Sequence, residues 1–167
     1  LMVGSDLPTP DTTVSTVTDV VELRIVGLTS LHTDGRVAIV DITFDIHRGE
    51  IVGIAGVEGN GQPQLVDTIL GVRDAVAGAL HLAGKDISGF DTKMRRDEGI
   101  GIIPEDRHRQ GLLLDSPLWE NAMLGHQSKK PFARGIWVNR AGARDITREI
   151  VKRFDVRTPG VDVNAVA

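Results

Sequence analysis

Cysteine and tyrosine are both missing from this 167-residue chain. Without cysteine there is no disulfide framework, no thiolate metal site and no cysteine nucleophile. That excludes small cross-linked extracellular scaffolds and favours cytosolic chemistry or binding. Without tyrosine, and with only four Phe and two Trp, recognition of single strands or sugars by stacked rings has few rings to use, and no nucleic-acid partner is expected. Long apolar runs are scarce too. The one from Ile51 to Val57 has seven residues, two of them glycine, against roughly 20 needed to cross a bilayer. No signal-peptide pattern is read at the start. What the chain does have, 41% hydrophobic and 25% charged residues, is the balance of a soluble globular domain.

The net charge of -4 conceals an asymmetry. Residues 1 to 92 hold 5 Lys/Arg against 13 Asp/Glu, and residues 93 to 167 hold 14 against 10. A basic second part can face phosphates or an acidic membrane surface, but its interspersed acids favour a solvated helix face.

Residues 1–20 are rich in Thr, Ser, Pro and Asp and read as a linker. Short β-rich runs follow at Val21 to Val26, Val37 to Ile46 and Ile51 to Ala55. In the second, Ile42, Phe44 and Ile46 alternate with Thr43, Asp45 and His47, which predicts a half-buried antiparallel strand. The third is apolar throughout and predicts a strand buried on both faces of a parallel sheet, as does Gly99 to Pro104. Between them, Gln62 to Leu70 predicts a helix, with Pro63 in the first turn and Gly71 ending it. A hairpin is expected at Ala79 to Ala83 and a short helix at Leu118 to Leu124. A last helix is expected from Arg140 to Phe154, capped by Asn139, with Ala143, Ile146, Ile150 and Phe154 on one face. The order of strand, glycine loop, helix and strand predicts an α/β fold with a small antiparallel part at its front.

The segment from Gly53 to Leu65 joins the expected buried strand to the expected helix. In a phosphate-binding loop, glycines let backbone N–H groups turn inward, backed by the positive end of the helix dipole. Gly56 and Gly61 fit the frame Gly-x-x-x-x-Gly-Lys-Ser/Thr, with Val57, Glu58, Gly59 and Asn60 between them and Gly59 an extra glycine. The next two positions depart from it. Gln62 stands where a lysine reaches the β- and γ-phosphates, and Pro63 where a hydroxyl holds Mg2+. Proline also lacks the N–H that would face a phosphate. A Glu58 carboxylate about 4 Å from a phosphate oxygen would repel it by a few kcal/mol at an effective dielectric of about 20. Weak ATP binding with Mg2+ disfavoured, or a glycine-rich connection without a ligand, are the two readings of the loop itself.

Read together, Val57-Glu58-Gly59-Asn60-Gly61-Gln62 and residues 99–112, Gly-Ile-Gly-Ile-Ile-Pro-Glu-Asp-Arg-His-Arg-Gln-Gly-Leu, resemble a known family. They are similar to the second ATP-binding half of the fused double-ATPase subunits of bacterial importers for simple sugars and nucleosides, in the ABC transporter family. The resemblance implies an incomplete P-loop NTPase-like core with an N-terminal antiparallel β subdomain and the start of a helical subdomain. It divides the chain into a linker at 1–20, sheet and nucleotide core at 21–110, and helical subdomain from 111–167 that ends before the signature motif. It places Gly56, Val57, Glu58, Gly59, Asn60, Gly61, Gln62 and Pro63 on the phosphate loop. Glu105 falls where most members have a glutamine that senses Mg2+ and the attacking water, and a carboxylate there argues against normal turnover. No Phe, Tyr or Trp lies in residues 28–38 to stack on adenine; His32 is read as a turn histidine. The resemblance also implies as partners a preceding ATPase half in the same chain and transmembrane permease subunits, at the cytoplasmic face of the membrane.

The cluster Asp106, Arg107, His108 and Arg109 has no spacing that builds a catalytic triad, so no catalytic residue is assigned. The five histidines show no pairing with carboxylates that suits zinc, and no metal site is assigned. Trp119 and Trp137 are read as core residues. Two functions remain: an ATP-binding transport subunit with a degenerate site, or a non-catalytic scaffold without useful nucleotide binding. A sheet lacking later strands is expected to self-associate through its apolar edge.

Overall fold

The computed structural model describes residues 14–57 and 59–165. The expected linker therefore lies mostly outside the described residues. Two compact units divide at Ile100 and Gly101.

The first unit is organised by an antiparallel sheet in the order β2-β1-β3-β4, formed by β1 (Val21–Leu31), β2 (Val37–His47), β3 (Ala75–Leu82) and β4 (Lys85–Asp86). The alternation read in the sequence sets its inner face. Ile25, Leu28, Ile39, Leu65, Leu80 and Ile87 form the core, and Leu23, Ile42 and Phe44 pack against it. The outer face carries a row of polar side chains across all four strands. Asp45 opposes Arg24, Arg24 opposes His81, and His81 opposes Asp86. Arg24 grips Asp45 with two bonds, at 2.9 and 2.7 Å, and holds its carboxyl below the usual carboxylate range.

Helix α1 (Gln62–Leu70) packs Leu65 and Thr68 inward. It ends at Gly71, as expected, with φ 73. A side chain there would crowd the start of α2 (Thr92–Asp97), since an added Cβ would lie 3.1 Å from the Phe90 oxygen and the Thr92 nitrogen.

The expected buried strands at 51–55 and 99–104 are absent. Neither segment is in a strand, and Ile51 and Ile103 are 97% and 88% exposed. Strand geometry is held by ladder bonds to a neighbour, and among the described residues no strand pairs with either segment. The apolar pattern recorded a demand for burial that these residues alone do not meet.

The second unit contains α3 (Arg107–Gln110), α4 (Leu118–Ala122), a two-stranded hairpin of β5 (Ala133–Arg134) and β6 (Trp137–Val138), and α5 (Arg140–Arg153). Its core is Trp119, Phe132 and Ala143, with Met123 and Ile146 against them. Trp119 is the core residue expected, whereas Trp137 is 74% exposed, because it lies at the hairpin tip. The far end of the expected apolar stripe is also bare, with Phe154 67% exposed.

Asn139 caps α5 as expected, accepting from the Gly142 N–H at 3.2 Å and donating from Nδ2 to the Pro131 carbonyl at 2.9 Å. Asn139→Ala removes both bonds and is expected to cost about 1–2 kcal/mol. Thermal unfolding followed by Trp119 fluorescence measures it. An unchanged midpoint would mean that the cap contributes nothing.

Candidate functional site

The glycine loop is built by a backbone reversal between the unpaired segment 51–57 and α1. The Asn60 N–H donates to the Val57 carbonyl at 3.3 Å, closing a turn. Gly61 is the N-cap of α1 with φ 94, and no side chain caps the helix. A Cβ on Gly61 would lie 2.9 Å from the Ala38 oxygen and 3.0 Å from Ile39 Cγ2, so the close approach to β2 demands glycine as much as the positive φ does. The helix is anchored beyond the loop by Leu65, 6% exposed, and by Thr68, 1% exposed. The Thr68 hydroxyl donates to the Gln64 carbonyl at 2.7 Å and lies 3.2 Å from the Ser30 hydroxyl.

The first turn of α1 therefore presents backbone N–H groups with no side-chain cap, the arrangement in which a helix start accepts an anion. Pro63 removes one of those donors. Gln62 turns back over the loop: its Nε2 donates to the Val57 carbonyl at 3.4 Å and sits where a Cβ on Gly56 would collide. The structure thus brings Gly56, Val57, Asn60, Gly61 and Gln62 into one turn, with Gly59 and Pro63 beside them. Glu58 lies outside the described residues. Glu105 belongs to the second unit, exposed in the bend before α3.

A magnesium ion does not fit the described loop residues, since Pro63 offers no side-chain oxygen and α1 has no acidic side chain in its first turn. An anion fits in part, through the uncapped helix start and the Gln62 amide. His32 lies in the β1–β2 turn, donating its N–H to the Arg36 carbonyl at 2.8 Å and accepting from the Gly35 N–H at 2.9 Å. Asp106 caps α3, accepting from the Arg109 N–H at 3.1 Å. Among the described residues no three His, Asp or Glu side chains gather as a metal cluster.

The sequence reading missed Arg95, a 4% exposed guanidinium that clasps the far end of α1. Its one sequence signal is position: α2 opens at the cap residue Asp91, so Arg95 falls one turn in, on the side of the cap.

The profile of the ABC transporter family matches residues 39–157. The chain is 39% identical over 137 residues to the guanosine import ATP-binding protein NupO of Bacillus subtilis (strain 168), covering 82% of this chain and 27% of that protein. It is 43% identical over 116 residues to a putative carbohydrate transport ATP-binding protein of Mycoplasma pneumoniae (strain ATCC 29342 / M129 / Subtype 1), covering 70% of this chain and 20% of that one. Among solved structures it is similar to an ATP-binding cassette in a post-hydrolysis state bound to ADP and Pi. That likeness has a TM-score of 0.65 and 21% identity, over 85% of this chain and 61% of the other. The chain thus spans about a quarter of the length of the curated relatives it matches.

Proposed function

This chain belongs to the ABC transporter family, and on that premise we propose that it is part of the second ATP-binding half of a fused import subunit for a simple sugar or a nucleoside. The names of its relatives, guanosine import and carbohydrate transport, support that substrate class. The loop is a degenerate nucleotide site made by Gly56, Val57, Glu58, Gly59, Asn60, Gly61, Gln62 and Pro63, with Glu105 in place of the glutamine. It takes ATP weakly and does not recruit Mg2+.

The observation that carries this reading is the turn at Gly61, which offers an uncapped helix start while supplying neither lysine nor hydroxyl. Catalysis then falls to another site, and this half couples to transmembrane permease subunits at the cytoplasmic face. Residues 1–20 serve as the linker from a preceding half, 21–110 as sheet and nucleotide core, and 111–167 as the start of the helical subdomain. The exposed apolar residues Ile51, Ile54 and Val57 promote self-association of this chain.

The Gln62 amide folded onto Gly56 and Val57 favours a second reading, a scaffold that binds no nucleotide. Calorimetric titration with ATP, with and without Mg2+, decides between them. Binding in the high micromolar to millimolar range, unchanged by Mg2+ and without phosphate release, is expected. No heat at millimolar ATP would leave the scaffold reading.

A further inference from the structure

The hairpin of β5 and β6 presents a surface that the nucleotide reading leaves unused. Its base is pinned. Phe132 is 8% exposed in the core of the unit, and the Asn139 N–H donates to the Phe132 carbonyl at 2.7 Å. Its tip is bare, with Ile136 92% and Trp137 74% exposed, and Val138 beside them at 46%. Two adjacent large apolar side chains held in water on a fixed hairpin mark a contact surface rather than scattered exposure.

Along the chain, the charge that flanks the tip has one sign. The interspersion of acids and bases that holds for residues 93–167 as a whole fails here. From Asn121 to Arg144 there are five Lys/Arg and no Asp or Glu. Arg144 is engaged by Asp162 and by the Trp119 ring, whereas Lys130, Arg134 and Arg140 are exposed cations close in sequence to the tip.

The tip is too small to be a protein interface by itself. A Trp and an Ile offer on the order of 400 Å², against roughly 1,000 Å² for a stable protein contact. An anionic bilayer asks for less area, since an indole settles at headgroup depth and each nearby cation adds attraction.

We propose that the β5–β6 hairpin is a membrane-surface contact, seating Ile136 and Trp137 among the headgroups of an anionic bilayer with Lys130, Arg134 and Arg140 against lipid phosphates. It uses no residue of the glycine loop and stands whether or not that loop binds nucleotide.

With two tryptophans, no tyrosine, and Trp119 only 6% exposed, an emission change on binding reports Trp137. The full chain is mixed with vesicles of phosphatidylglycerol or of phosphatidylcholine. A blue shift and protection from acrylamide are expected with phosphatidylglycerol alone, reversed by about 0.5 M salt. Lys130→Gln, Arg134→Gln and Arg140→Gln should each weaken vesicle binding about fivefold. Trp137→Ala should abolish the shift while Trp119 emission still reports a folded unit. Equal binding to both vesicles, no shift with either, or unchanged binding by Trp137→Ala would overturn the proposal. A shift that grows with protein concentration without lipid would also overturn it, assigning the tip to a protein contact.

Discussion

Replacing Arg95 with alanine is expected to destabilise the first unit by about 3–5 kcal/mol, a large share of the 5–15 kcal/mol that typically holds a domain. The guanidinium donates from Nε to the Phe90 carbonyl at 2.9 Å and from Nη1 to Thr68 and Ile69 at 2.5 and 2.8 Å. Nη2 donates to Ser88 at 3.0 Å. Two of these carbonyls belong to the end of α1, which has no basic residue in its own last turn, so Arg95 supplies from α2 the cation that the helix end lacks. Burial pushes the guanidinium down from its ordinary pKa and Asp74 opposes that shift, but an arginine remains charged. Truncation leaves buried acceptors at about 1–3 kcal/mol each, partly repaired by entering water. Arg95→Lys keeps the charge but gathers its donors on one nitrogen, and should recover less than half of the loss. Urea unfolding followed by circular dichroism tests both substitutions. A loss below about 1 kcal/mol for alanine would show that the four carbonyls find other partners at no cost.

Changing Gln62 to lysine and Pro63 to serine together should tighten ATP binding about 100-fold and make it depend on Mg2+. The lysine replaces a neutral amide with a charged donor, an exchange of roughly 1.5–3 kcal/mol, and tenfold in affinity corresponds to about 1.4 kcal/mol. The serine restores one backbone N–H and supplies the oxygen that a metal requires. Gly61 and the anchors Leu65 and Thr68 are untouched, so the turn that presents the helix start is kept. Calorimetry with and without Mg2+ measures the change. If the double variant binds no better than the parent, the loop is not a phosphate site, and the scaffold reading gains what the nucleotide reading loses.

Elements whose ends are written in backbone chemistry were legible before any coordinates. The first helix follows from Pro63 at its start and Gly71 at its end, and the last from Asn139, because each residue suits few other backbone positions. The alternation from Ile42 to Ile46 likewise foretold the half-buried β2. Segments 51–55 and 99–104 were misread for the opposite reason. Continuous apolar character states a preference for burial and says nothing of whether a neighbouring strand is present. The loop's departures at Gln62 and Pro63 could be read from residue identity, but the folding of the Gln62 amide onto Val57 could not, because a side-chain torsion leaves no mark in spacing. Trp137 and the acid-free stretch were hidden by averaging, since charge counted over 75 residues dilutes a local patch.

Helix α1 is fastened unequally. Its amino end meets the glycine loop without a capping side chain, while its carboxyl end is clasped by Arg95 and by Thr92, whose hydroxyl donates to the Gly71 carbonyl at 2.9 Å. Side-chain hydrogen bonds from α2 thus reach α1 only at its carboxyl end, while the amino end is seated by shape alone, through the close backbone approach of Gly61 to β2 and the burial of Leu65.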